Sequence, residues 1–291
     1  MTIRNWLLAA RPKTLSAAVV PVMIGSALAA DEPTGVVWWV FGCALVGALL
    51  IQVATNLIND ALDFRKGADT SERLGPVRAT QAGLLSADSV LRGAFVCLFG
   101  AALCGIPLIY RAGWPLLAIG VTSILAAYLY TGGPYPLAYR GLGEIFVLLF
   151  FGLVATGGTF YAHTLQLTRS ALIAGLAAGS LSTVLLVINN LRDVGTDRKS
   201  DKRTLVVRFG ESFAKGEIAL FALLPFGAVV WLAVLRNQWG LLVTLFALPL
   251  AVVVIVSAFR HEGRVLNQSL ARAGALQWLF GVLFVIGSLF E

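Results

Sequence analysis

Long apolar stretches alternate with polar breaks along almost the whole chain, and two of those breaks differ from the rest. Runs of predominantly apolar residues fall near 14–30, 36–58, 90–109, 114–131, 142–162, 169–191, 213–235, 239–259 and 271–290. A helix needs ~20 such residues to cross the hydrocarbon core of a bilayer, so the pattern predicts an all-α integral membrane protein of about nine transmembrane helices. Pro21 and Gly25 interrupt the first run; membrane helices tolerate this where neighbours satisfy the freed backbone groups. Most breaks are short, such as DEPTG at 31–35 and RNQW at 236–239. The segments 59–89 and 192–212 are long and polar, and long loops in a compact domain usually carry function. The whole of 1–291 reads as one membrane domain with these two segments forming a polar cap.

Composition agrees. Of 291 residues, 58% are hydrophobic and 13% charged, against ~45–50% and ~25% in soluble domains. Mean hydropathy is +0.84. The net charge of +7 would suit nucleic acid, but its placement argues for orientation instead. With alternating spans, only Arg111, Arg169 and Arg236 fall on the side opposite the N-terminus. The positive-inside rule then makes the N-terminal side cytoplasmic, in an inner or plasma membrane, and an odd helix number leaves Glu291 outside. Arg11 and Lys13 run straight into a membrane-length segment, so no cleaved signal is expected. Cys43, Cys97 and Cys104 lie in apolar runs without metal or disulfide spacing, and His163 and His261 are too scattered for a metal site.

Topogenic charge does not explain why acids accompany the bases in just two places. In NLINDALDFRKGADTSERLGPVR, Asn56, Asp60 and Asp63 stand at i, i+4 and i+7, on one helical face. Asn59 lies off that face and suits a cap or supporting role. Lys66, Asp69, Arg73 and Arg78 follow. In INNLRDVGTDRKSDKRTLVVRFG, Asn189, Asp193 and Asp197 stand at i, i+4 and i+8, followed by Lys202, Arg203 and Arg208. The pattern thus occurs twice, closing the second and sixth helices, and predicts an internal repeat around one cavity. An ionised side chain costs at least ~2.5–3.5 kcal/mol facing lipid, so both clusters should face the bundle interior. Oxygen donors without histidine or thiolate suit hard cations. Mg²⁺ takes one or two carboxylates plus substrate phosphates, and Lys and Arg hold the remaining phosphate oxygens. The inference is a metal-bridged diphosphate site whose substrate has an apolar tail.

These two stretches, with RPKTL at 11–15 and the run from YTGGPY (130–135) to GLGE (141–144), resemble the UbiA superfamily of intramembrane aromatic prenyltransferases, and within it the branch that acts on a dihydroxynaphthoate. Asn59, Asp60 and Asp63 fit the family's first motif. Gly67 stands where many members have a last acid, with Asp69 two further on. Asp201 stands where the branch often has glycine. The resemblance implies a UbiA-type bundle and two Mg²⁺ ions. Asn56, Asp60 and Asp63 would ligate one and Asp193 and Asp197 the other, with help from Asp69. Lys66, Arg73, Arg78 and Lys202 would stabilise the departing diphosphate. The substrates it implies are a prenyl diphosphate and an aromatic naphthoate, with the prenyl group taking the place of the carboxylate to give demethylmenaquinone. Phytyl transfer, or 4-hydroxybenzoate or homogentisate as acceptor, are alternatives within the family.

Several residues keep two readings. Tyr128, Tyr130 and Tyr135 suit an interfacial aromatic belt or an acceptor pocket. Arg140 suits topogenic charge or contact with the acceptor or diphosphate. Glu144 and Asn189 are candidates for the acceptor; a charge effect at the helix N-terminus accounts for Glu144 almost equally. Gly157 and Gly158 suit close helix packing. Outside the enzyme class, intramembrane acids and repeats also occur in secondary transporters, but there they lie near the midplane, whereas these sit at helix ends beside phosphate-type bases.

Overall fold

The computed structural model describes residues 2–68 and 74–290, and every regular element among them is helical. A short surface helix α1 (Ile3–Ala10), not expected from the sequence, docks Trp6 against α4 and turns by 51° into α2 (Ser16–Ala29). There follow α3 (Trp38–Arg65), α4 (Ala87–Ala112) and α5 (Trp114–Leu129). Next come α6 (Gly143–Thr164), α7 (Arg169–Lys199) and the five-residue α8 (Leu205–Phe209). α9 (Glu211–Arg236), α10 (Trp239–Arg260) and α11 (Gly263–Gly287) complete the bundle. Each predicted apolar run contains a helix. Seven are long and apolar enough to span a membrane, the bent α1–α2 pair makes an eighth, and α5 is shorter at 16 residues.

Two boundaries move in a way that matters. α3 continues to Arg65 and α7 to Lys199, so Asp60, Asp63, Asp193 and Asp197 stand on the last helical turns and not in loops. The first charged residues do not end these helices, because the charges turn inward and are buried. Thr168 caps the start of α7 by accepting from the Ala171 N–H at 3.3 Å.

α7 is the axis of the bundle. In its apolar window 78% of residues are buried, against 22–44% in the other spans, whose outer faces meet lipid. Its small residues, ALIAGLAAGS, permit this. A Cβ built on Gly152 of α6 would stand 2.5 Å from the Gly175 carbonyl oxygen and 2.9 Å from the Gly179 Cα. Close packing of this kind was expected at Gly157 and Gly158, where a Cβ would meet only side chains of Leu167 and Ile119; the tight crossing lies one turn earlier. There α6 passes through a π-helical stretch, Leu149–Gly157, whose extra residue per turn re-aims the side chains. Phe150, Phe151 and Val154 of that stretch line the central cavity.

The crossing predicts a sharp contrast. Gly152→Ala drives a methyl into backbone that cannot yield and should cost about 1–3 kcal/mol, read as a lowered midpoint of thermal unfolding in detergent. Gly42→Ala, where a Cβ meets nothing within 4 Å, should leave the midpoint unchanged or slightly raised.

Candidate active site

Both polar clusters lie at the same end of the bundle, and one tyrosine joins them. Tyr139, in the turn Leu137–Tyr139 between α5 and α6, donates its hydroxyl to Asp63 Oδ1 at 2.8 Å. Lys66 Nζ lies 4.6 Å from the centre of its ring and Lys202 Nζ 5.9 Å, within the range of a cation–π attraction. Its carbonyl accepts from the Arg203 N–H at 3.1 Å. The first cluster's lysine and the second cluster's lysine therefore share one aromatic ring. Sequence reading missed Tyr139; its position in PYPLAYRGLGE gave no periodic signal.

The first cluster divides its labour. Asp63, buried, accepts Arg78 Nη2 at 3.2 Å on its second oxygen. Asp60 is turned away from the cavity: its carboxylate accepts the N–H groups of Ala79 and Thr80 at 3.0 and 3.2 Å, and the Thr80 hydroxyl. This differs from the expectation of a metal ligand. The segment 79–80 docks on that flank of α3, and Asp63, not Asp60, is the acid of this cluster that lines the cavity. Asn56 donates Nδ2 to the Ala10 carbonyl and to Thr14 Oγ1 at 2.9 and 3.0 Å, so its Oδ1 is the atom left for the cavity. Asn59, expected to be off the functional face, lines the cavity and accepts the Thr131 hydroxyl. Lys66 donates to the Thr131 carbonyl. Asp69 and Arg73 lie outside the described residues.

In the second cluster Asp197 pairs with Lys202 Nζ at 3.4 Å, and its Oδ2 is buried without a hydrogen-bond partner among the described residues. Burial works against the Lys202 ammonium, but Asp197, then Asp63 and Asp193, outweigh it and hold its pKa above the ordinary lysine value. Asp193 takes a two-pronged contact from Arg192, at 2.8 and 2.6 Å. Arg192, read from sequence as orientation charge, is 2% exposed. Asp201, which stands where the resembled branch often has glycine, adopts φ +52°, the left-handed conformation that glycine takes without cost.

Below the charges lies a cavity of about 750 Å³. Its mouth carries Asn56, Asn59, Asp63, Arg78, Asn189 and Lys202, and its body is apolar, with Phe146 and Phe150 stacked at 5.6 Å. Tyr130 lines it too. Burial, then Glu144, Asp63 and Asp197, raise its pKa, so the phenol keeps its proton. Glu144 is buried beside the cavity, accepting Asn190 Nδ2 at 3.1 Å. Tyr135 and Arg140 are not brought to the site. The Arg140 guanidinium covers the exposed Tyr135 ring at 4.6 Å, and its carbonyl is held by Arg208 at 2.8 Å, which settles both side chains on the outer surface.

The set fits a divalent cation. No group of three or more Asp, Glu, His or Cys converges among the described residues. Even so, the donors at hand are all oxygens, and the orphaned Asp197 Oδ2 and the outward Asn56 Oδ1 are the atoms a hard cation would take.

The described residues thus form an all-helical membrane bundle with paired acid–base clusters over an apolar cavity. The chain belongs to the UbiA prenyltransferase family, whose profile matches residues 18–287. It is 36% identical, over 99% of its length and 96% of the relative's, to a 1,4-dihydroxy-2-naphthoate octaprenyltransferase of Haemophilus influenzae. It is 40% identical over 85% of its length to the protein of that name from Mycobacterium tuberculosis, of which it covers 83%. Among solved structures, the fold matches a UbiA homolog from Archaeoglobus fulgidus bound to DMAPP and Mg²⁺. That match has a TM-score of 0.66 at 12% identity, covering 96% of this chain and 99% of that one.

The Asp63–Arg78 pair is buried and should prove costly to break. Arg78→Met leaves a buried carboxylate short of its cation and should lower stability by about 3–5 kcal/mol. Arg65→Ala, which removes the exposed pair with Asp88, should change it by under ~1 kcal/mol. Thermal unfolding of the two purified variants compares them directly.

Proposed function

We propose that the protein transfers a polyprenyl group from a prenyl diphosphate to 1,4-dihydroxy-2-naphthoate. The carboxylate is lost and diphosphate released, giving the demethylmenaquinone skeleton. The observation that carries this is the meeting of Lys66, Lys202 and Asp63 around Tyr139 at the mouth of an apolar cavity. The relatives' names supply the acceptor. The chemistry balances without a further reactant. The allylic C–O bond breaks with its electron pair leaving on the diphosphate. The ring carbon bearing the carboxylate forms the new C–C bond, and CO₂ departs, leaving behind the pair that restores the ring.

On this reading Lys66, Lys202 and Arg78 meet the negative charge that grows on the leaving diphosphate, a stabilisation that acts in the transition state. Asn56 and Asp63 on one side, with Asp197 on the other, would hold two Mg²⁺ ions, and Asp193, clasped by Arg192, would orient that side. Bound there, the ions supply charge neutralisation of the diphosphate. Asp60 holds segment 79–80, and through it the approach of Arg78. The apolar cavity wall keeps water from the allylic cation, and Tyr130, as a neutral donor, faces the acceptor. The active site opens to the cytoplasm, with the N-terminus on that side and the C-terminus outside, as the distribution of Lys and Arg supports.

Removing divalent cations with a chelator should abolish prenyl transfer in membranes supplied with a prenyl diphosphate and the naphthoate, and Mg²⁺ should restore it. Asp63→Asn combined with Asp197→Asn should lower kcat by about a hundredfold or more. Undiminished product from that double variant would overturn the site. Tyr139→Phe keeps the ring between the lysines but loses the donor to Asp63, and should cost about tenfold in kcat/KM. Tyr139→Leu, which loses both, should cost more.

A further inference from the structure

Arg192 has five N–H donors and no acceptor, and the structure uses them on three neighbours. Besides Asp193, Nη2 donates to Asn189 Oδ1 at 2.6 Å and Nη1 to Asn267 Oδ1 at 2.9 Å. A guanidinium accepts nothing, so each amide must turn its oxygen toward Arg192 and its nitrogen away. Asn267 Nδ2 then donates to the Leu74 carbonyl at 3.0 Å, which ties α11 to the start of the segment carrying Arg78 and Thr80. Asn189 lies on the cavity wall, and its Nδ2 has no protein partner among the described residues. Asn56, which lines the same cavity, is turned the opposite way: its nitrogen serves Ala10 and Thr14, which leaves its oxygen for a ligand. One asparagine is set to meet a cation and the other an anion.

We propose that Arg192 is a positioning residue that fixes the polarity of the site. It aims the Asn189 N–H donors at an anionic oxygen of a substrate, either the acceptor carboxylate or the diphosphate. Through Asn267 it also fastens the loop segment 74–80. A lysine cannot replace it, because an ammonium has no planar fork to serve a carboxylate and two amides together. The proposal rests on the prenyl-transfer reading for the identity of the anion, but the fastening of 74–80 does not depend on it.

The test uses the full-length protein in detergent with three variants. Asn189→Asp keeps the oxygen for Arg192 and removes the donors. Asn267→Asp keeps the oxygen for Arg192 and removes the donor to Leu74. Arg192→Lys removes the fork. Calorimetry with Mg²⁺ and inorganic diphosphate, and separately with 2-naphthoate, reads the anion, and hydrogen exchange of amides 74–80 reads the loop. Asn189→Asp should weaken one of the two probes by about tenfold or more with exchange at 74–80 unchanged, and the probe affected names the anion. Asn267→Asp and Arg192→Lys should speed exchange at 74–80, and Arg192→Lys should also weaken the same probe. Wild-type affinity for both probes in Asn189→Asp overturns the anion role, and unchanged exchange in Asn267→Asp overturns the fastening. If the wild-type protein binds neither probe, the prenyl-transfer reading and the anion role both fall, and the exchange data alone decide the fastening.

Discussion

The structure depends on satisfying carboxylates buried at the end of an apolar bundle. Asp60, Asp63, Asp193 and Asp197 are each 7% exposed or less, and a buried charge is tolerated only when paired or hydrogen-bonded. Each compensation recruits a different part of the chain. Backbone amides of 79–80 serve Asp60, and Arg78 with Tyr139 serves Asp63. Arg192 serves Asp193, and Lys202 serves Asp197. Residues 78–80 and Tyr139 are thereby pinned to the end of α3, while Arg192 and Lys202 meet the acids of α7 from within that helix and just beyond it. The turn through Gly141 follows from this pinning: at φ +68° it brings Arg140 O under Arg208 and Tyr139 O onto Arg203.

The same end-loading separates two environments that the proposed reaction needs together. The charged head of a diphosphate is met by side chains already held by opposite charges, so little reorganisation is required on binding. Its tail would lie against residues whose only demand is close packing. The π-helical stretch of α6 links the two: clamped by Gly152 against Gly175 and Gly179, it turns Phe150 and Phe151 inward without breaking the span.

Much of this was legible in sequence because membrane constraints are strong. Apolar run lengths place the helices, since backbone in lipid has few alternatives. The doubled Asn-x-x-x-Asp pattern places the site, since charges must face inward. What could not be read depends on partners distant in sequence. Asp60 and Asp63 sit on one stripe of α3, and only the docking of 79–80 decides that the first serves the loop while the second lines the cavity. Arg192 looks like any cytoplasmic base until Asn189 and Asn267 are seen beside it. Tyr139 carries no periodic signal at all, and Tyr135, which stands in a more suggestive YTGGPY, is drawn to the surface by Arg140. Gly152 was indistinguishable from Gly157 and Gly158 without the facing helix.

The two clusters also show what their repetition means. Counting from each asparagine, Asp60 corresponds to Asp193 and Asp63 to Asp197. In both copies the first acid is satisfied by its own neighbourhood, through the N–H groups of 79–80 or the adjacent guanidinium of Arg192. In both copies the second acid reaches toward the shared centre, where Lys202 feels Asp197 and Asp63 together and Tyr139 touches both sides. A helical turn separates the two acids in each copy, so one can anchor and orient while the other stands beside Tyr139 or Lys202. A single acid at each helix end could not do both. It would have to give up its oxygens to hold the loop, or leave the loop unfastened to face the ligand. The repeated spacing is therefore a way of keeping one carboxylate per helix beside Tyr139 and Lys202 at the cavity mouth while the other holds the surrounding structure.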